Sequence, residues 1–387
     1  MMPLMNRPRK ISSPPAHASL AEDVARLSRL LTRERNSLPH AYLRDKGLRR
    51  AYLAYFLPPN LAKIQLPLRE LCSHPDGFLA KERLHILDLG TGPGTAVLGI
   101  REFFRQGGSV QHLEFTAVDQ VGENLKDAEA LFRDAGGISD KHSVLTTVRT
   151  GIEAVAHRSG GPFDIIVLSN VLNEMFLQDP DRIGKRTDLV RDIMERLLAA
   201  DGSCIIIEPA LQETSRELLM VRDGIVDGGG HVYSPCLVKG HCPALVHPRD
   251  WCHEDRHWDP PEAVKELDEQ TGLRKDSLKF SYLILRNDAR ALADVYGPES
   301  YRVVSEPLVS KGKREFYFCG KEGRRLATRL DKDASPGNRA FEFLKRGEIV
   351  RVEGLVVEER RFRITKESLV KLLDPFSPDR MQRLPVP

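Results

Sequence analysis

The chain has 387 residues, of which 41% are hydrophobic and 29% charged, with a formal net charge of +3. That balance is globular and excludes collagenous or wholly disordered chains. No apolar run approaches the ~20 residues that a membrane-spanning helix needs, so no membrane partner is expected.

Charge is unevenly placed. Residues 1–70 hold 13 Lys/Arg against 5 Asp/Glu, and residues 311–366 hold 16 against 9, which leaves an acidic middle. Basic ends suit a protein that grips a polyanion, although ordinary solvated faces read the same way.

Residues 1–18 are basic and Pro/Ser-rich, lack the apolar core of a secretory signal, and are expected to form a disordered tail. A helical region is predicted over 19–78. SLAEDVARLSRLLTRERN and LRRAYLAYFLPPNLAKIQLPLRELC carry apolar residues at helical spacing, and Pro58-Pro59 predicts a break between helices.

A core follows over 79–229, in which strands and helices alternate. LHILDLG, HLEFTAVDQ, SVLTTVRT, FDIIVLSN and GSCIIIEPA read as strands. TAVLGIREFFRQ, ENLKDAEALFRDAG, RTDLVRDIMERLLAADG and LQETSRELLMVRDGI read as helices. Near-continuous apolar strands joined by helices imply a doubly wound, Rossmann-like parallel sheet in an α/β protein.

Residues 230–260 are rich in Cys, His, Pro and Trp and have neither period, which suggests an insertion. Over 261–322, LKFSYLILRN and KREFYFCG are expected to complete the sheet as an antiparallel pair. Residues 323–387 are predicted to form a small basic β-rich extension with a closing helix.

The first strand runs into Asp88-Leu-Gly90-Thr91-Gly92-Pro-Gly94. Glycines at alternate positions let the backbone turn tightly against a ligand at a helix N-terminus. The spacing departs from the dinucleotide fingerprint Gly-x-Gly-x-x-Gly, and Asp88 suits a cationic amino-acid tail better than a pyrophosphate. S-adenosylmethionine is therefore the expected cofactor. Asp119, closing the second strand, is placed to accept ribose hydroxyls. Ser169 and Asn170 close the fourth strand beside the same crevice. Asn170 is the one catalytic candidate, while Asn173 and Glu174 read equally as helix-capping residues. A loop retained for packing alone remains the alternative.

Six cysteines in a chain with no export signal argue against a disulfide framework. Cys72 and Cys204 read as small buried residues. Cys236, Cys242 and Cys252, with Cys319 farther on, supply four thiolates. These could complete a tetrahedral zinc site or a four-iron cluster, and the wide spacing leans toward the cluster. Ser234-Pro235-Cys236 also has the form of a nucleophilic Pro-Cys dipeptide. His231, His241, His247, His253 and His257 are read as surface or outer-shell residues, and Trp251 and Trp258 as covers for the centre.

DLGTGPGT, FDIIVLSNVLNEM, EPALQETSRELLMVRD and HVYSPC…CP…HPRDWCHEDRHW, in that order, resemble the small-ribosomal-subunit methyltransferase-like (Rsm-twenty-two-like) family of bacteria and mitochondria. The likeness runs from about residue 40 to 325. It implies a class I S-adenosylmethionine methyltransferase fold carrying a [4Fe-4S] cluster on Cys236, Cys242, Cys252 and Cys319. It also implies binding to the small ribosomal subunit through rRNA during assembly, in support of translation, and it leaves catalysis open.

The expected function is thus an rRNA-binding small-subunit assembly factor. The alternatives are an active rRNA methyltransferase and a small-molecule methyltransferase. The expected location is the bacterial cytoplasm, or the mitochondrial matrix in a eukaryote, and the expected state is a monomer.

Overall fold

The computed structural model describes residues 19–373 except 40, 109–110, 137–141, 157–160 and 360. The tail predicted over residues 1–18 lies outside the described residues.

Five parallel strands form the heart of the first sheet: β1 (Arg83–Leu89), β2 (His112–Asp119), β3 (Ser143–Arg149), β4 (Phe163–Ser169) and β5 (Leu198–Pro209). Three more strands join them: β6 (His231–Ser234), β7 (Glu254–His257) and β8 (Ser277–Arg286). The order is β3-β2-β1-β4-β5-β8-β6, with β7 pairing the start of β8. β8 runs antiparallel to both β5 and β6. A parallel sheet whose order reverses at β1, closed by an inserted antiparallel strand, is the class I methyltransferase arrangement.

The helical N-terminal region comprises α1 (Leu20–Thr32), α2 (Lys46–Ala51), α3 (Leu57–Lys63) and α4 (Gln65–Cys72). Ser19 and Glu22 cap α1 reciprocally, satisfying two backbone donors that would otherwise be orphaned. The break expected at Pro58-Pro59 takes a different form. A π-helical turn over Tyr52–Phe56 leads directly into α3, and the prolines occupy the first turn of α3, next to that irregularity.

Helices α5 (Thr95–Gln106), α6 (Gly122–Gly136), α7 (Ile152–Ala156), α8 (Arg182–Leu197) and α9 (Gln212–Asp227) connect the sheet strands, and α10 (Glu262–Thr271) precedes β8. One face of the sheet buries Ile86, Phe115, Ile165 and Ile205 against the N-terminal helices and α5. The other buries Leu87, Ile166, Cys204 and Ile206 against α8 and α9. Burying each such side chain contributes roughly 1.5–3 kcal/mol, which is why the central strands read as unbroken apolar runs. Among the described residues, no helix is long and apolar enough to cross a membrane.

After α11 (Leu292–Tyr296) a second sheet begins: β9 (Ser300–Val303), β10 (Leu308–Ser310), β11 (Lys313–Gly320), β12 (Gly323–Leu330), β13 (Ile349–Glu353), β14 (Val356–Val357), β15 (Arg361–Ile364) and β16 (Leu369–Leu372). Its order is β14-β15-β12-β11-β9-β13-β16, with β10 on β11. Phe316, Phe318, Phe341 and Phe362 fill its own core.

Three expectations are corrected here. Lys313–Gly320 is a strand, but it pairs with β9, β10 and β12 and not with β8. The stretch expected to close as a helix is β16, antiparallel to β13. The segment over 230–260 contains two short strands, both on β8.

Candidate functional site

The carboxyl ends of β1, β2 and β4 meet at the point where strand order reverses, which is where ligands bind in such sheets. Gly90 and Gly92 leave β1 with φ of 72° and 54°. A Cβ on Gly90 would stand 2.5 Å from Val171 Cγ2, so the turn tolerates no side chain there. A Cβ on Gly92 would meet nothing within 4 Å, so the loop backbone is bare toward open space.

Asp119 ties this loop to β2. It accepts from Gly92 N at 2.9 Å, Val121 N at 2.8 Å and Asn124 Nδ2 at 3.2 Å. Asp88 is buried and accepts from Thr91 Oγ1 at 2.6 Å. Burial, with repulsion from Asp119, pushes its carboxyl up to about 7 against the Thr91 hydrogen bond. Ser169 and Asn170 lie where the sequence predicted, at the end of β4. Asn170 adopts φ 57°, donates its N–H to Ile207 O at 2.7 Å, and sends Nδ2 to Ser169 Oγ at 3.3 Å.

Further residues border this cleft. Asn173 is buried, and its side chain bridges Glu208 on β5 to Arg35 from the N-terminal region. Burial pushes Glu174 up to about 7, with Asp119 adding and Arg35 opposing. Burial likewise pushes Glu208 up to about 8 against its two Asn173 hydrogen bonds. The Tyr42 phenol is raised by burial and then by the charges of Glu174, Tyr52 and Asp119. Tyr52 hydroxyl lies 3.4 Å from Thr95 Oγ1, the first residue of α5. The N-terminal helices therefore close one side of the cleft, and its floor is acidic. Sequence reasoning misses Arg35, Tyr42 and Tyr52 because they come from a segment that reads only as amphipathic helix.

The cysteines come from four places. Cys236 follows β6, Cys242 precedes a 3-10 turn (Pro243–Leu245), Cys252 precedes β7, and Cys319 lies on β11 of the second sheet. All four line one cavity of about 40 Å³, together with Arg222, Trp251, His253, Arg302 and Arg324. Burial, then Cys236 and Cys252, push the Cys242 thiol well up. Burial and Cys236 push Cys252 up to about 12, and burial followed by the other three thiols raises Cys319. Among the described residues, no group of three or more His, Cys, Asp and Glu side chains is disposed to hold a metal ion.

Around the cavity, Cys242 N donates to Asp223 at 2.9 Å, and Arg222, wholly buried, donates to Asp223 and to Val238 O at 2.8 Å. His253 stacks on Trp251 at 4.0 Å, and burial pushes its imidazole down to about 4. Trp258 packs in the first core instead of over this cavity. His241 pairs with Asp227 at the surface. Cys204 is buried, as expected, but Cys72 is exposed at the end of α4, contrary to expectation.

The profile of the family described as mitochondrial small ribosomal subunit Rsm22 matches residues 48–342, well over half of the chain. The chain belongs to the Rsm22 family. That match takes in the glycine loop, all four cavity cysteines and much of the second sheet. No curated protein matches the sequence significantly.

Similar solved structures include the CMeT domain of the citrinin polyketide synthase (15% identity, 70% of this chain and 66% of that one, TM-score 0.38). Another is the CurJ carbon methyltransferase (12% identity, 69% and 66%, TM-score 0.35). A third is a S-adenosylmethionine-dependent methyltransferase from Methanosarcina mazei (13% identity, 55% and 96%, TM-score 0.32). These likenesses are distant, and the fold rests on the strand order of the Rsm22-family chain itself.

Proposed function

We propose that this Rsm22-family protein is an rRNA-binding assembly factor of the small ribosomal subunit, built on a S-adenosylmethionine-binding methyltransferase fold and held by a [4Fe-4S] cluster. The observation that carries the proposal is the family match over residues 48–342, which spans both the cofactor cleft and the cysteine centre.

The cleft has the chemistry the cofactor requires. S-adenosylmethionine carries a sulfonium and an ammonium, and Asp88, Asp119 and Glu174 form an acidic floor whose mutual repulsion a cationic ligand relieves. Asp88 would face the amino-acid end and Asp119 the ribose, with Gly90, Thr91, Gly92 and Gly94 giving close backbone approach. Ser169 and Asn170 would border the methyl group, which the bound cofactor supplies as an electrophile.

Four thiols lining one cavity are a donor set that fits a [4Fe-4S] cluster, as the family resemblance implies, with zinc the lesser alternative. Cys236, Cys242, Cys252 and Cys319 would be the ligands. Arg222, Arg302 and Arg324 supply positive charge to offset a core held by four thiolates. Because Cys319 comes from the second sheet and the others from the first, the centre would join the two, and metal–thiolate free energy would serve as folding energy.

Co-sedimentation with small ribosomal subunits across a salt series tests the ribosomal role. Binding at low salt that weakens steeply as salt rises is expected for phosphate contacts, and no binding at low salt would refute it.

One observation favours a second reading, an active rRNA methyltransferase. Glu174 lies beside the cofactor cleft between the charges of Asp119 and Arg35, and burial pushes its carboxyl up to about 7, which suits a general base. Transfer of labelled methyl to small-subunit RNA that Glu174→Gln abolishes would establish it. An RNA-binding protein without transfer leaves the assembly reading alone.

A further inference from the structure

Apart from the cleft and the cysteine cavity, a polar cavity of about 340 Å³ lies between α3 and the turn from α10 into β8. Its charged lining is Lys63, Arg274, Lys275, Asp276 and Lys279. The single acid is already taken, because Arg274 Nε binds Asp276 at 2.6 Å. Lys279 reaches Asp255 at 3.3 Å.

Lys63 and Lys275 have no carboxylate ion-pair partner among the described residues. Lys63 Nζ donates to the neutral Asn60 Oδ1 at 2.8 Å, and Lys275 Nζ lies over the rings of Tyr55 and Phe56 at 5.5 and 5.1 Å. Asp268, whose charge reaches Lys275, is bound by the Tyr55 hydroxyl and by Lys275 N.

Two partly buried ammonium groups facing one cavity, neither in a direct ion pair and only Lys275 reached by a carboxylate charge, are costly to keep. Burial and the neighbouring Lys275 push Lys63 down to about 7, so its charge is penalised where it stands. An anion between the two amines would offset both the desolvation cost and the repulsion. The donors are ammonium points with three rotatable protons each, and the only guanidinium is occupied. That set suits a tetrahedral oxyanion carrying more than one charge better than a planar carboxylate, which favours a free arginine fork.

We propose that this cavity binds a phosphate group, held between the ammonium groups of Lys63 and Lys275 with Lys279 at its rim. It uses no residue of the cofactor cleft or the cysteine centre, and it stands whether or not the protein acts on ribosomes. The phosphate could belong to a polynucleotide backbone or to a free phosphate compound.

The test uses the full chain with inorganic phosphate as probe, followed by thermal unfolding and calorimetric titration at constant ionic strength set with chloride. Wild type should gain thermal stability with phosphate beyond the chloride control. Lys63→Met and Lys275→Met should lose that gain, with phosphate affinity lowered tenfold or more. Both variants should fold at least as well as wild type in phosphate-free buffer, since each removes a costly buried charge. Lys239→Met, whose amine pairs with Asp294 at 2.7 Å elsewhere, should respond as wild type does.

A single-stranded RNA oligonucleotide separates the two sources. If it competes with phosphate and its binding falls in Lys63→Met, the polynucleotide backbone is the ligand. If it does not compete, a free phosphate compound is. A wild type that responds equally to phosphate and chloride, or lysine variants that keep the full phosphate response, would overturn the proposal.

Discussion

Arg302 of the second sheet donates to the Glu70 carboxylate of α4 at 2.7 Å, with both side chains buried. The same carboxylate accepts from Tyr282 hydroxyl on β8 at 2.6 Å, and Arg302 also donates to Gly347 O at 2.9 Å. Glu254 on β7 lies 3.8 Å from Arg302. One buried ion pair thus ties the N-terminal helices, the first sheet and the second sheet together, beside the cysteine cavity that Arg302 also lines.

Removing one partner of a buried pair strands the other, at a cost of about 3 kcal/mol or more. Glu70→Gln should lower stability by about that much in urea denaturation. Cys72→Ser, two residues away and exposed, should change it by less than about 0.5 kcal/mol. Equal midpoints for Glu70→Gln and wild type would show that the pair does not join the sheets energetically.

Gly92 tests the cofactor cleft. Any side chain there must adopt a left-handed backbone, costing roughly 1–2 kcal/mol, and a Cβ would enter open space beside Asp119. Gly92→Val should weaken S-adenosylmethionine binding at least tenfold in calorimetric titration while the protein stays folded. Unchanged affinity would move the cofactor elsewhere.

Glu174 sets a pH dependence. Its folded pKa of about 7 lies above the ordinary 4.5, so between those values the native state holds a proton that the unfolded state has released. Stability contributed by the protonated form is complete below about 4.5 and is lost as pH rises toward 7. Asp88 and Glu208, also raised, act in the same direction. Glu174→Gln should therefore reduce the fall in stability between pH 5 and 7 without reversing it. A variant with the full wild-type slope would place Glu174 outside the effect.

Much of this was legible in the residues. The apolar runs of β1, β4 and β5, and the glycines after β1, fixed the parallel sheet and its crevice, because fully buried strands and a bare turn leave strong local signals. Partner choice left weaker ones. Lys313–Gly320 alternates as a strand should, but nothing local in KREFYFCG distinguishes β12 from β8 as its neighbour. Leu369–Leu372 is too short for its period to separate strand from helix, and its pairing with β13 decides. Arg35, Tyr42 and Tyr52 reach the cleft only through the packing of the N-terminal helices. Cys319 is the reverse case. Its sheet was misassigned, yet it lines the same cavity as the other three cysteines, because β11 lies beside β9 and β12 at that cavity.

Iron and acid-labile sulfide, assayed on protein purified without air, test most directly whether thiolates from both sheets share one inorganic core. About four of each per chain are expected in brown wild-type protein, and both should be lost in Cys319→Ser. Colourless protein holding a single zinc, or full iron retained in Cys319→Ser, would contradict the account.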